Sequence, residues 1–166
     1  MATQPTYSFQ VSGLTPVANR ITLQIENGVG SGVVLRLTEA ELYHRNTAAI
    51  VGIQLAYEIV RMSVAATVGT VLTADKFDTT DANLPAQVVV RSLPTGGTAT
   101  GGPLAAGNLY TDETSPAPQL AMYANPAGTQ RKQLTIRPGE TIALRQGPFG
   151  TVGVHGIRIG FTAQAS

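Results

Sequence analysis

Two histidines and three of the four aspartates are the residues of this sequence whose types and spacing could support chemistry. The histidines are His44 and His155. Catalysis by a Ser-His-Asp arrangement requires a histidine within hydrogen-bond reach of a nucleophile and of an orienting carboxylate. The sequence has no Gly-x-Ser-x-Gly motif. His155 falls at a predicted bulge and His44 at the end of a predicted strand or helix. We therefore interpret both as surface or rim residues and predict no catalytic residue and no enzymatic activity.

The aspartates recur at every third position, as Asp75, Asp78 and Asp81, in a loop over residues 74–85. Carboxylates and loop carbonyls are the ligands that Ca²⁺ prefers. The spacing differs from that of an EF-hand, and the closing glutamate is missing. The alternative is a solvated turn, because Asp and Asn side chains form hydrogen bonds with their own backbone in turns. We predict the turn, with no metal and no cofactor.

The element that organises the predicted fold is the segment over residues 133–146, where apolar and polar residues alternate on both sides of a turn. Period-two alternation is typical of a half-buried strand. Pro138 presets φ at the second turn position and Gly139 accepts a positive φ at the third, which is the pattern of a type II turn. Such a turn fits poorly with the twist of a tight hairpin. We therefore predict an arch between two sheets, and hence a β-sandwich.

Further alternating segments predict an all-β protein of about eight to ten antiparallel strands, arranged as a β-sandwich or jelly roll. Predicted strands cover residues 7–11, 20–25, 33–37, 50–62, 64–73, 86–92, 108–112, 119–124, 133–146 and 152–161. Changes of parity predict bulges near residues 38–40 and across His155-Gly156. A capping box at residues 38–41 leaves a short helix over 39–44 open. Residues 50–62 also fit a helix, but the strand pattern matches more of them.

The chain divides into an extended N-terminal arm, residues 1–19, and a single β-sandwich domain, residues 20–166. The arm either lies on a neighbouring subunit or is a disordered terminus. The glycine-rich stretch 94–107 predicts a long loop, which either reaches a neighbour or is a floppy insertion. Eight residues on these two segments are predicted to contact a partner: Thr3, Gln4, Tyr7, Phe9, Thr95, Thr98, Thr100 and Leu104.

Composition limits the classes of partner. Only 13% of residues are charged, against a typical value of about 25%. Such a surface is either partly covered by neighbouring subunits or solvated through hydroxyl groups. The nine arginines are scattered, so we expect no nucleic-acid partner. No run approaches the ~20 apolar residues of a membrane span, and the first residues lack signal-peptide features. We therefore expect synthesis in the cytoplasm and no membrane insertion.

Several segments together carry a resemblance to a known class of protein. They are the strand over residues 33–37, the strand over 53–61, the segment D-K-F-D-T-T-D-A-N-L-P-A-Q-V from Asp75, and I-R-P-G-E-T-I-A-L-R-Q from Ile136, followed by the final strand V-G-V-H-G-I-R-I-G-F-T. In this order they resemble the small β-sandwich virion proteins of tailed bacteriophages, in particular capsid decoration (cement) proteins.

The resemblance implies a non-enzymatic role on the virion. Such proteins form homo-oligomers, often homotrimers, that sit on the capsid surface and hold neighbouring subunits of the major capsid protein together. Two alternatives stay open. One is a tail, baseplate or head-fibre accessory protein that binds host glycan, and the other is a hydrolase on a jelly-roll scaffold.

Overall fold

The computed structural model describes residues 4–44, 53–111, 119–124, 132–148 and 153–166, which form twelve strands and no helix. The strands are β1 (Thr6–Leu14), β2 (Ile21–Asn27), β3 (Val33–His44), β4 (Ile53–Val64), β5 (Val68–Leu72), β6 (Asp75–Lys76), β7 (Val88–Thr95), β8 (Thr98–Thr111), β9 (Gln119–Ala124), β10 (Thr135–Ile136), β11 (Glu140–Gln146) and β12 (His155–Ala165). The all-β prediction is confirmed.

Two antiparallel six-stranded sheets form a β-sandwich. The first sheet has the order β10-β3-β12-β1-β6, with β9 also paired to β3, and the second has the order β5-β7-β2-β11-β4-β8. The alternation of apolar residues places one face of each sheet in a common core. The largest fully buried side chains come from both sheets and include Tyr57, Phe161, Leu23, Leu37, Leu42 and Ile142.

The strand pairs are nested in chain order. The first strand, β1, pairs with the last, β12, and β2 pairs with β11. Further inward, β3 pairs with β9 and β10, and β4 pairs with β8. Successive strands of this series lie alternately in the two sheets. The chain is therefore a long hairpin of two segments that is rolled up into a sandwich.

The innermost part of this hairpin is a bent two-stranded ribbon. β4 pairs with β8 up to Val64 opposite Thr98, and β5 pairs with β7 from Val68 opposite Thr95 onward. Residues 53–72 and 88–111 thus run side by side as one antiparallel ribbon, whose register shifts at residues 59–61, 62–64 and 68–70. One half of the ribbon pairs with β11 through β4, and the other half pairs with β2 through β7. The ribbon therefore wraps around the central pair β2–β11.

The bend of the ribbon crosses the face of β2–β11 that points away from the sandwich core. Gln24 of β2 is fully buried there. Its amide donates from Nε2 to the carbonyl oxygen of Ala66 (3.0 Å) and accepts at Oε1 from the Ala66 N–H (2.8 Å). Val60, Met62 and Ala143 form a second small apolar cluster beside it. The position of the bend is thus fixed by two hydrogen bonds between the Gln24 amide and the Ala66 backbone, which apolar side chains surround.

The predicted arch between the sheets is confirmed. β10 belongs to one sheet and β11 to the other. Gly139 has a φ of 86°, and the Glu140 N–H donates to the Arg137 carbonyl oxygen at 2.9 Å. Asn27, fully buried at the end of β2, donates from Nδ2 to the carbonyl oxygens of Val33 and Ile136, and its own carbonyl accepts the Gly139 N–H. The arch is therefore anchored to both sheets.

An extended arm is predicted over residues 1–19, and this prediction is wrong for the part that forms β1, Thr6–Leu14. β1 lies inside its sheet, between β12 and β6, so a strand within residues 7–11 is confirmed. Tyr7 and Phe9 are only 2% and 3% exposed, and their ring centroids lie 5.9 and 5.6 Å from the ring centroid of Phe161. The burial of two aromatic side chains outweighs the entropy cost of ordering a short segment. The domain described here therefore includes β1.

The prediction of a long loop over residues 94–107 is also wrong. Most of this stretch belongs to β8, whose long register with β4 supplies the backbone hydrogen bonds that its small residues could not secure locally. Gly96 and Gly101 adopt φ values of 83° and 72° at the turn and at an irregular point of the ribbon. The helical alternatives for residues 39–44 and 50–62 are excluded wherever the structure describes these residues, which form β3 and β4.

The two predicted bulges have different outcomes. The β3–β12 register shifts between Gly160 and Phe161, opposite Glu39 and Leu37, so the extra residue is Thr38, as predicted. Across His155-Gly156 the same register is continuous, and the predicted second bulge is wrong. The irregularity on the other side of β12 lies in β1, between Val11 and Leu14.

Replacing Gln24 by leucine should destabilise the protein, because the N–H and carbonyl groups of Ala66 would then lose their partner inside the structure. A buried polar group left without a partner costs about 1–3 kcal/mol, and we expect a loss of this size in urea-induced unfolding. Gln87→Leu makes the same change at an exposed glutamine and is the matched control. Equal unfolding midpoints for the two variants would contradict the role assigned to Gln24.

Replacing Gly139 by valine should cost about 1–3 kcal/mol, because a β-branched residue is strained at positive φ. Gly139→Asn is the control, since asparagine tolerates the left-handed region far better. Thermal unfolding of both variants measures the difference. If valine were tolerated as well as asparagine, the conformation of the arch would be wrong.

Candidate partner-binding surfaces

His155 is a core residue, so its interpretation as a surface or rim residue is wrong. It is 0% exposed at the start of β12. Its Nε2 lies 2.5 Å from the Tyr57 hydroxyl, and the two rings meet edge to face with centroids 5.5 Å apart. With no bulge at Gly156, His155 shares the inward parity of Ile157 and Ile159. The side chain of His44 lies outside the described set, although its backbone pairs with His155.

The Tyr57–His155 pair is a polar contact inside the core. Burial raises the pKa of Tyr57 well above its ordinary value, while a hydrogen bond with Thr22 and the charge of Arg20 act in the opposite direction. Tyr57 therefore keeps its proton at neutral pH. Because both rings are fully buried, neither presents a polar atom to a ligand at the surface.

The aspartate loop next to β6 forms the predicted turn. Oδ1 of Asp78 accepts from the backbone N–H (2.9 Å) and the hydroxyl (2.7 Å) of Thr80, and these bonds lower the pKa of Asp78. Lys76 Nζ donates to the carbonyl oxygen of Asp81 at 2.8 Å. Among the described residues, no group of three or more potential ligands is placed to hold a metal ion.

The same loop is held against β1 and presents an exposed aromatic ring. The Phe77 N–H donates to the Thr6 carbonyl oxygen (3.1 Å), and the Tyr7 hydroxyl donates to the Ala82 carbonyl oxygen (2.7 Å). The Phe77 side chain nevertheless remains 66% exposed. The loop is thus an ordered surface feature with an apolar tip.

The residues predicted to contact a partner fall into three groups. Thr3 lies outside the described residues, and Gln4 is exposed just before β1. Tyr7 and Phe9 are buried, so their assignment as contact residues is wrong. The remaining four, Thr95, Thr98, Thr100 and Leu104, are exposed on the ribbon. The structure therefore places the four predicted contact residues of the ribbon together on one exposed element, and it does not place Tyr7 and Phe9 with them.

Three of these four residues, Thr98, Thr100 and Leu104, lie on β8, which is an edge strand of its sheet. β8 is fourteen residues long and contains no charged residue. Natural edge strands commonly carry charges that oppose association with other chains. Here Pro103 and two register shifts, opposite residues 59–61 and 62–64, interrupt the edge. β8 is therefore an exposed surface of low charge.

A cleft with a volume of about 350 Å³ lies between the edge of the second sheet, where β8 is, and strands β9 and β10 of the first sheet. Its lining combines apolar or aromatic side chains with cations, and includes Leu104, Tyr123, Leu134, Arg61, Lys132 and Arg137. Sequence analysis identified only Leu104 among these residues. Arg61 is far along the chain from Lys132 and Arg137, so no local pattern could indicate the cleft.

Hydrogen bonds fix the walls of the cleft. The Arg61 guanidinium donates to Glu140 Oε2 and to the carbonyl oxygen of Thr135, both at 3.0 Å. The Tyr123 hydroxyl accepts the Leu134 N–H at 2.9 Å. Glu140 thus offsets the charge of Arg61. Lys132 and Arg137, by contrast, are exposed, which gives the cleft a positive rim.

Comparison with known proteins gives no relative from which a role could be transferred: no protein-family model matches the chain, and no match was found among curated proteins. No helix long and apolar enough to cross a membrane occurs among the residues that the structure describes.

The stability of the protein should fall as the pH rises above about 10, because the unfolded chain then ionises Tyr57 while the folded state keeps its proton. Tyr57→Phe should reduce this dependence by up to about 1.4 kcal/mol per pH unit. Tyr7, whose pKa is also raised by burial, leaves a residual slope. Urea unfolding at pH 8 and at higher pH tests this. If the free energy of unfolding fell with pH as steeply in Tyr57→Phe as in the wild type, the assigned role of Tyr57 would be wrong.

Proposed function

We propose that this protein is a structural component of a tailed-phage virion, a capsid decoration protein that binds between subunits of the major capsid protein on the capsid surface. The observation that carries the proposal is β8, a fourteen-residue edge strand without a charged residue, whose residues 98–108 are exposed or half-buried. A surface of this kind suits a protein that spends its functional life covered by neighbours. It also offers a reason for the low charge of the whole sequence.

The connectivity of the strands supports the same proposal. We infer a jelly roll from the nested pairing of β1 with β12, β2 with β11, β3 with β9 and β4 with β8. Jelly rolls recur in viral capsid proteins and also in lectins. The fold alone therefore favours a binding or assembly role without selecting between these two classes, and the resemblance to decoration proteins favours the capsid.

The mechanism is mechanical. Each copy contacts several shell subunits through a modest surface, and a homotrimer presents three such surfaces at once. Linked binding sites raise overall avidity by about 10²–10⁴ without any new contact. The shell is stabilised because the decoration protein binds the assembled lattice and not the separated subunits.

A second candidate function is supported by the cleft. A tail, baseplate or head-fibre accessory protein that binds host glycan would use a concave site with an aromatic side chain and a few polar groups. Tyr123 and the cations of the cleft fit that description. Binding of soluble host glycan to the isolated protein, together with a position on the tail, would favour this candidate.

Two lysines introduced on β8, as Thr98→Lys/Thr100→Lys, should weaken binding to the shell by roughly tenfold or more, because charges at the centre of an interface must be desolvated. Co-sedimentation with capsids that lack the protein measures this. Thr70→Lys/Gln164→Lys adds the same charge at exposed positions elsewhere and is the control. Equal binding by the two variants, or absence of the protein from purified capsids, would contradict the proposal.

A further inference from the structure

We propose that copies of this chain associate head to tail, with the loop over residues 75–81 of one copy occupying the cationic cleft of the next. The occupant is thus a second copy of the same protein. The inference deepens the proposed assembly role and rests on it for the expectation that copies associate. It names the surfaces that do so.

The charges of the molecule separate onto two surfaces. The glutamates of the described strands form ion pairs with arginines of neighbouring strands: Glu140 with Arg61, Glu26 with Arg91, Glu58 with Arg145, and Glu39 and Glu41 with Arg158. By contrast, Asp75 and Asp78 lie exposed in the loop, and Lys132 and Arg137 lie exposed at the cleft. Three aspartates and Lys76 leave the loop over residues 75–81 with a net negative charge, whereas Lys132 and Arg137 make the rim of the cleft positive.

The apolar parts of the two surfaces also match. Phe77 stands between the two exposed aspartates and is 66% exposed. In the cleft, Leu104 is 45% exposed and lies with Leu134 among the cations. A phenyl ring seated against the leucines would place the aspartate carboxylates near Lys132 and Arg137. An aromatic anchor in a pocket with charged groups around it is the usual form of an energetically important contact.

The loop is already ordered for such a contact. Four hydrogen bonds fix its ends: Phe77 N–H to the Thr6 carbonyl oxygen, Lys76 Nζ to the Asp81 carbonyl oxygen, Tyr7 hydroxyl to the Ala82 carbonyl oxygen, and Thr6 N–H to Asp81 Oδ2. A segment that is rigid before binding loses little conformational entropy on association. The exposed ring of Phe77 can therefore bind a partner with little loss of conformational entropy in the loop.

The sheet order prevents a copy from filling its own cleft. The loop begins with β6 and the cleft is lined by β10, and these strands are the two ends of the order β10-β3-β12-β1-β6. Four strand spacings separate them by about 19 Å. Each copy therefore offers its loop at one edge and its cleft at the other. A contact between such different surfaces produces a closed ring when the rotation closes, and a homotrimer is a ring of this kind.

Charge reversal tests the contact on the isolated chain in solution. Arg137→Glu and Asp78→Lys should each weaken self-association by roughly tenfold or more, because each places like charges across the interface. The double variant should restore it, because the reversed pair is again complementary. Phe77→Ala should also weaken association without loss of stability, since this side chain is largely exposed. The measurements are sedimentation velocity at about 50 mM and about 500 mM NaCl, with circular dichroism to verify folding.

Gln87→Glu/Gln164→Glu is the matched control for Arg137→Glu, because it changes the net charge by the same amount at exposed positions away from the cleft. The control should associate as the wild type does. A wild-type chain that is monomeric at low salt would overturn the inference. So would folded single variants that associate normally, or a folded double variant that stays dissociated.

These outcomes are separable from those of the proposed function. Self-association is measured without any shell protein, whereas capsid binding is measured through β8 with the loop and the cleft unchanged. A chain that forms the oligomer through Asp78 and Arg137 but is absent from capsids would sustain the interface and refute the capsid role. A chain that binds capsids as a monomer would sustain the capsid role and refute the interface.

Discussion

The hydrogen bonds between Gln24 and Ala66 hold the bend of the ribbon, and the packing of the second sheet follows from that bend. A two-stranded ribbon of some twenty residues on each side has no reason to bend by itself. The Gln24 amide, fully buried, satisfies both backbone groups of Ala66 at the bend, which is one of several places where the ribbon leaves its regular register. Without a partner these groups would be costly to bury. The bend lets the ribbon pair with β2 on one side and β11 on the other.

The surfaces proposed for assembly are consequences of the same bend. It leaves β8 at the edge of the second sheet and brings Arg61 and Leu104 of the ribbon toward β9 and β10, where they form the cleft. At the opposite edge of the first sheet, β1 holds the loop that presents Phe77. The surface features therefore follow from the packing of the sandwich, and their separation across one sheet is what makes a head-to-tail contact geometrically reasonable.

Local patterns were sufficient wherever the information lay within a few residues. The Pro138-Gly139 turn, the change of parity that places a bulge at Thr38, and the alternation in β2, β4 and β11 were all predicted, because turn chemistry and period two are properties of neighbouring residues. Composition was a poorer guide. The small residues of β8 suggested a loop, yet β4 supplies a pairing partner over most of its length. Tyr7 and Phe9 fall in the predicted arm, yet they pack against the ring of Phe161 in the core.

The all-β class, the arch between two sheets and most of the strands can be predicted from the sequence, because alternation and turn residues act locally. The place of β1, the contact of His155 with Tyr57, the bend of the ribbon and the charges that meet at the cleft are visible only in the folded protein. These features join residues that are far apart in the chain: Gln24 and Ala66 are 42 positions apart, and Tyr57 and His155 are 98 apart. No local pattern encodes such pairs, because their energy arises only when the two sheets close on a shared core.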